Sequence, residues 1–182
     1  MSLSMVERVE GFLLHPSRTF DACREDMHRD VFIYYATLAV VYAILLSVMA
    51  PIEPIVGLPP PAHIWMFDDL SPLSSAAISI FAVIIAGLWV HVWVYLMGGK
   101  NGVAQTMNAM MYGATPAFIL SWIPYAGLVG MAWAIVVQII GIRQLHEIST
   151  ERAIAAYAIS LVIPLIIFEM VMRSVYKVTI IP

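Results

Sequence analysis

Five polar side chains interrupt long apolar stretches of the sequence, and their chemistry needs an explanation. They are Thr37, His91, Asn108, Gln138 and Ser160. At a helical rise of about 1.5 Å per residue, each lies roughly 8–11 Å from the same side of the apolar region. Polar groups inside a membrane span are costly, so they usually pair or mark a pathway. The spacing predicts one polar layer, either interhelical hydrogen bonds that fix packing, which we favour, or a lining for an ion or small solute.

Two prolines, Pro116 and Pro164, lie inside the apolar stretches. A proline removes one helical hydrogen bond, so Pro116 frees the carbonyl of Tyr112 and Pro164 frees that of Ser160. Broken helices bind ions in some transporters, but prolines are also ordinary in membrane spans. We predict helix kinks at both positions, with ion binding as the alternative.

No residue pattern typical of catalysis accompanies these groups. The sequence has no Gly-rich phosphate loop, no nucleophile elbow and no pair of histidines at metal spacing on one helix. The lone cysteine, Cys23, excludes an internal disulfide and most cysteine-based metal sites. We therefore predict no enzyme, no cofactor and no metal.

Composition indicates an integral membrane protein. The chain of 182 residues is 62% hydrophobic and 12% charged, whereas soluble domains average roughly 45–50% apolar and about 25% charged residues. The net charge of −3 gives no reason to expect nucleic-acid binding.

Five segments have the length of about 20 apolar residues that a spanning helix needs. The predicted spans are 31–50, 74–97, 103–123, 128–145 and 153–172. Non-helical backbone cannot face lipid, so we predict an all-α polytopic fold. Only residues 124–127 separate the third and fourth segments, which could instead form one hairpin dipping into the bilayer. Each is long enough to cross, and two crossings are predicted.

The basic residues predict the orientation, because lysine and arginine favour cytoplasmic loops. With the amino terminus inside, seven basic residues are cytoplasmic, namely Arg8, Arg18, Arg24, Arg29, Lys100, Arg143 and Arg152. Only Arg173 and Lys177 lie outside. We expect a multi-pass protein of the cell membrane with its carboxyl terminus outside, in which 31–172 form the membrane domain and 173–182 a short outer tail.

Residues 1–30 are predicted to form a cytoplasmic amphipathic segment. Apolar residues recur at helical spacing at Leu3, Val6, Val9 and Leu13, and Glu7, Arg8 and Glu10 occupy the other face. This pattern indicates a helix on the membrane surface, with a short soluble cap helix as the alternative.

The stretch GIRQLHEISTERA predicts a cytoplasmic corner between the last two spans. Its charged and ionisable residues are Arg143, His146, Glu147, Glu151 and Arg152. Basic residues suit the end of one helix, and Ser149 or Thr150 can cap the next with an acidic residue in its first turn. A metal site at His146, Glu147 and Glu151 is disfavoured, because a solvated corner supplies too few converging ligands.

This corner, IGIRQLHEIST followed by ERA, resembles the end of the Yip domain of Ypt/Rab-interacting membrane proteins. GFLLHPSRTF resembles the entry of that domain, and GGKNGVAQTMNAMMYGATPAFILSWIP resembles its middle. The positions that carry the resemblance are Leu13, Pro16, Phe20, Gly98, Gly99, Tyr112, Pro116 and Pro124. It covers roughly residues 9–172 and implies five spans with the amino terminus inside. The chain lacks the long cytoplasmic region of eukaryotic members and resembles a short prokaryotic one.

Together these observations predict a non-catalytic membrane scaffold that binds a cytoplasmic protein partner. The alternative is an ion or small-solute channel or transporter that uses the polar layer and the kinked helices. The lipid bilayer is the expected environment, and a homo-oligomer is compatible with the sequence.

Overall fold

A computed structural model describes residues 3–49, 51–52 and 72–180 of the chain. Within these residues the regular structure is helical, without strands, so the all-α prediction is confirmed for this part. The helices are α1 (Met5–Leu14), α2 (Pro16–Ala22), α3 (His28–Met49), α4 (Pro72–Leu96), α5 (Val103–Gly113), α6 (Thr115–Leu120), α7 (Ala126–His146) and α8 (Thr150–Ile180). Most of the loop between the first two predicted spans, residues 53–71, lies outside the described residues.

Four of these helices are long and apolar enough to cross a membrane. They are α3, the part Leu73–Leu96 of α4, α7, and the part Thr150–Ser174 of α8. They correspond to the first, second, fourth and fifth predicted spans. The third predicted span is instead two shorter helices, α5 and α6, joined at Ala114. Helix α8 continues to Ile180, so the helix includes most of the predicted outer tail.

Helix α7 contacts α2, α5, α6 and α8, while α4 contacts α3, α5 and α8. The approach of α5 to α7 requires a glycine. A Cβ atom on Gly113 would lie 2.4 Å from Cγ of Gln138 and 2.9 Å from its backbone nitrogen. The α5–α7 contact is therefore close at backbone level, and no larger side chain fits between the two helices.

The amino-terminal helices α1 and α2 pack onto the bundle through two phenylalanines. Phe12 and Phe20 are only 0% and 1% exposed. The ring of Phe12 stacks on Tyr112 with centroids 4.7 Å apart, and the ring of Phe20 lies against Gly141, where a Cβ atom would be 2.5 Å from its Cζ. Residues 5–22 are thus an integral part of the folded domain.

The orientation of α1 differs from the sequence-based expectation. Arg8 was expected on the polar face, but it is 7% exposed, whereas Val6 is 74% exposed. The helix turns Arg8 and Phe12 inward because Arg8 finds an acidic partner and a phenol inside the protein.

Candidate functional site

Two histidines on different helices share one hydroxyl group. His91 Nδ1 and His146 Nε2 each lie 2.8 Å from Oγ1 of Thr106. A hydroxyl has one proton, so it donates to one ring and accepts from the other. His146 is buried, and its Nδ1 has no hydrogen-bond partner among the described residues. Gly99 lies against that nitrogen, since a Cβ atom there would be 3.0 Å from it.

A second polar group joins α7 to α5 and α8. Gln138 donates from Nε2 to the carbonyl of Met110 at 3.2 Å, and its Oε1 accepts from the hydroxyl of Tyr157. Ser160 donates to the carbonyl of Tyr157 at 2.6 Å. Gln138 therefore bridges three helices, and its amide uses both its donor and its acceptor side.

The remaining two residues of the predicted polar layer lie apart from these groups. Asn108 Oδ1 is 3.2 Å from Nδ1 of His28 at the start of α3. Thr37 is exposed and donates back to the carbonyl of Ile33 in its own helix at 2.7 Å. The five residues thus belong to four separate hydrogen-bonded groups, and most of their partners come from other parts of the sequence.

Both carbonyls that the prolines free have replacement donors. Thr115 donates from its hydroxyl to the carbonyl of Tyr112 at 2.6 Å, next to Pro116. The indole Nε1 of Trp89 donates to the carbonyl of Ser160 at 2.8 Å, across the α4–α8 contact. Neither oxygen is left open, because a side chain replaces the lost backbone donor in each case.

An ion pair that the sequence did not predict joins α1 to the segment between α2 and α3. Arg8 Nη2 is 3.1 Å from Oδ2 of Asp26, and Arg8 Nη1 donates to the hydroxyl of Tyr112 at 3.0 Å. That hydroxyl donates to Asp26 at 2.5 Å, which closes a triangle of contacts. Nothing in the local sequence distinguishes Arg8 from an exposed arginine, since Tyr112 is 104 residues away.

Cys23 lies beside this triangle and is 3% exposed. Burial, and then the negative charge of Asp26, raises the pKa of the Cys23 thiol to about 12. The thiol is therefore protonated at neutral pH and a poor nucleophile.

The α7–α8 corner, residues 143–152, is built by helix-end chemistry. Glu147 ends α7 in the left-handed region with φ of 56°, and Ile148 donates its backbone N–H to the carbonyl of Arg143 at 3.2 Å. Ser149 caps α8 by accepting from the backbone N–H of Arg152 at 3.4 Å. The corner therefore has a fixed backbone, from which Glu147, Glu151 and Arg152 are exposed, while Arg143 is half-buried and His146 points inward.

The corner and the amino-terminal helices form one surface, which we call the charged end. Gln144 donates from Nε2 to the carbonyl of Ser17 and to Oδ1 of Asp21, both at 3.1 Å. Arg24, which follows α2, pairs with Glu147 across the same contact. Two regions more than 120 residues apart in the chain are thereby held together.

A family model described as Yip1 domain matches residues 11–172. The chain belongs to the Yip1 domain family. Neither a curated protein nor a solved structure matches the chain significantly. Yip1 membership and four apolar helices of spanning length together identify a membrane protein.

Two positions that carry the Yip1 resemblance are in contact in this structure. The rings of Phe20 and Tyr112 are 6.4 Å apart, and Pro116 is fully buried at the start of α6. Tyr112, a Yip1 position on α5, therefore packs against Phe12 of α1 and Phe20 of α2.

The described residues of this Yip1-family chain contain no group of three or more His, Cys, Asp or Glu side chains placed to hold a metal ion. The polar residues described above form hydrogen bonds between helices and an exposed charged surface. Both are suited to packing and recognition.

Proposed function

We propose that this Yip1-family protein is a non-catalytic membrane scaffold whose charged end binds a cytoplasmic protein. The amino terminus and the α7–α8 corner lie in the cytoplasm, the carboxyl terminus lies outside, and the chain crosses the cell membrane five times. We also predict that this member of the family comes from a prokaryote.

The helix lengths support five crossings. The summed helical rise of residues 103–120, in α5 and α6, is about 27 Å, and the 21 residues of α7 extend about 31 Å. A hydrocarbon core is about 30 Å thick. The position of the basic residues supports the orientation, because seven of the nine then lie inside.

The exposed charges support a binding role for the charged end. The side chains of Arg24 and Glu147 are 44% and 66% exposed although they pair with each other. Exposed ion pairs contribute little to stability, typically below about 1 kcal/mol. Here the pair displays a positive and a negative charge side by side, in a geometry fixed by Gln144. Such a surface is complementary to a protein surface with the opposite arrangement of charges.

The observation that carries the scaffold proposal over a channel is the pairing of the two proline-freed carbonyls. An ion path through kinked helices needs open carbonyl oxygens. Here Thr115 and Trp89 already donate to them. Four residues of the predicted polar layer also have hydrogen-bond partners, as polar residues that fix helix packing do. They are Gln138, Ser160, Asn108 and His91.

Two experiments test the proposal. A photo-crosslinking residue at Glu151 should capture the same cytoplasmic protein in repeated preparations, whereas the same residue at the lipid-facing position Ile85 should not. The charge-swapped variant Arg24→Glu/Glu147→Arg keeps the ion pair but reverses the surface pattern, and should lose the captured protein by at least tenfold while still inserting.

The scaffold proposal also predicts that the protein carries no ions, whereas the channel alternative predicts ion flux. Purified protein in liposomes should pass potassium, sodium, chloride and protons no faster than empty liposomes. Flux that a Gln138→Leu variant abolishes without unfolding, together with no reproducible crosslink at Glu151, would replace the scaffold with a channel.

A further inference from the structure

Helix α8 changes from buried to exposed about half-way along its length. Its first part packs against α4 and α7, and Ala153, Ala156, Tyr157 and Ser160 are buried there. From residue 161 to residue 174 no side chain is buried. Pro164 lies at this change, where the helix leaves the bundle.

One face of this outer half has a regular pattern. Val162, Ile166, Glu169 and Arg173 follow at intervals of four, three and four residues. This is the spacing of the seam along which two helices pack with a small left-handed crossing, in membranes as in coiled coils. A shallow groove of about 370 Å³ follows the same face, bordered also by Leu165 and Met170.

The seam contains the one ion pair described on α8. Arg173 Nε is 2.7 Å from Oε1 of Glu169, and the two side chains are 76% and 59% exposed. Glu169 lies about 28 Å along the helix from Thr150, which is near the outer edge of a hydrocarbon core about 30 Å thick. Charges in contact with lipid at this level are unfavourable, so a protein surface with opposite charges is a better neighbour.

We propose that this face of α8 binds the same face of a second copy of the chain, as a parallel pair around a twofold axis along the membrane normal. A twofold interface must be complementary to itself. Equal insertion depth brings the two Glu169 residues to one level and the two Arg173 residues to a level one helical turn, about 6 Å, further out. Each carboxylate then has two guanidinium groups nearby, and Val162 and Ile166 of the two copies pack below them.

The test is cysteine crosslinking in native membranes, in a Cys23→Ser background that removes the natural thiol. Val162→Cys and Ile166→Cys place thiols on the seam. Ile167→Cys and Val171→Cys are matched controls, since these apolar, exposed residues face the other way. Upon oxidation we expect covalent dimers at both seam positions and at least tenfold less at both controls.

Three outcomes would overturn the proposal. No dimer at any position would mean that lipid covers the face, and equal yields at all four positions would mean random collision. A crosslink within one chain between Ile166→Cys and Trp65→Cys, without a dimer, would assign the face to residues 53–71.

The charge contribution has its own control. In the Val162→Cys protein, Glu169→Lys gathers four positive charges and should lower the dimer yield at least fivefold. Adding Arg173→Glu restores opposite charges and should restore the yield. A Glu169→Lys protein that elutes as the folded species and crosslinks unchanged would contradict the proposed charge cluster and with it the parallel pairing.

Discussion

Arg8 and Asp26 form an ion pair that is almost closed to solvent, with side chains only 8% and 13% exposed. Both residues precede the first membrane helix, yet the pair is completed by Tyr112 from α5. The amino-terminal segment is therefore attached to the bundle by charge as well as by the phenylalanines.

Breaking this pair should be costly, because the remaining charge stays buried. We expect Arg8→Met or Asp26→Asn to lower the free energy of unfolding by about 3–5 kcal/mol. The double variant Arg8→Met/Asp26→Leu should recover much of that loss. Arg24→Met, which breaks the exposed pair with Glu147, should cost below about 1 kcal/mol. Thermal unfolding in detergent measures all four, and equal losses for Arg8→Met and Arg24→Met would contradict the burial of the first pair.

Gly113 and Gly87 offer a matched pair of alanine substitutions. A Cβ atom on Gly113 meets the backbone of Gln138 at 2.9 Å, whereas one on Gly87 meets the flexible end of Met107 at 2.5 Å. Overpacking typically costs about 1–3 kcal/mol when neighbours cannot move. We expect the loss of unfolding free energy for Gly113→Ala to lie in or above this range. The loss for Gly87→Ala should be clearly smaller, because the thioether of Met107 can rotate away. Reversed order in thermal unfolding would contradict the close α5–α7 approach.

The bond from Trp89 to the carbonyl of Ser160 can be tested by a double-mutant cycle. Trp89→Phe removes the donor and should cost about 0.6 kcal/mol, up to ~1.7, for the bond, in addition to lost packing. Pro164→Ala gives that carbonyl a backbone donor again, so Trp89→Phe should cost less in this background. Additive effects in the unfolding assay would show that the indole does not replace the missing bond.

The helical fold and most spans could be predicted from the sequence, because a bilayer fixes the length and composition of a crossing helix. The freed carbonyls were also predictable, because a proline removes the hydrogen bond to the carbonyl four residues before it in the same helix. The donor to Ser160 was not predictable, because Trp89 is 71 residues from it, whereas Thr115 is only three residues from Tyr112. The burial of Arg8 was also not predictable, because arginine is usually exposed. Its partners Asp26 and Tyr112 come close to it only in the folded protein.

The position of Cys23 determines how the thiol responds to reagents and pH. Maleimides react with the thiolate, and burial raises the pKa of Cys23 to about 12. We expect very slow labelling of the folded protein from pH 7 to 9 even after lysis, and fast labelling in denaturant. Because an unfolded thiol ionises near pH 8.5, this residue should also lower native stability as the pH rises from about 9 towards 12, and Cys23→Ala should remove that part. Rapid labelling of the folded protein would contradict its burial.

Topology is better measured with introduced cysteines in a Cys23→Ser background. Tyr125 is 72% exposed in the turn between α6 and α7, and Glu10 is exposed on α1. With five crossings, an impermeant maleimide should label Tyr125→Cys in intact cells and Glu10→Cys only after lysis.

If Tyr125→Cys stays unlabelled on both sides, the hairpin ends inside the bilayer and the chain crosses three times. The packing of α1 against α6, with Glu7 and Glu10 exposed, would then lie close to the membrane surface. Five crossings and three crossings both predict an amino terminus inside and a carboxyl terminus outside, so labelling of Glu10→Cys in intact cells would overturn the proposed orientation.

The contacts between the amino-terminal helices and α7 also set an order of events during synthesis. Leu13 accepts a hydrogen bond from Trp133, and Ser17 accepts one from Gln144, so the α7 partners of α1 and α2 are synthesised 120 or more residues after them. At about 5–20 residues per second, the hydrogen bonds of α1 and α2 with α7 can form only roughly 6–25 s after these helices are synthesised. Chains halted before residue 126 should accordingly be cleaved by protease within residues 5–22, and completed chains should resist. Residues 5–22 are thus synthesised before α7 but reach their native position only after it.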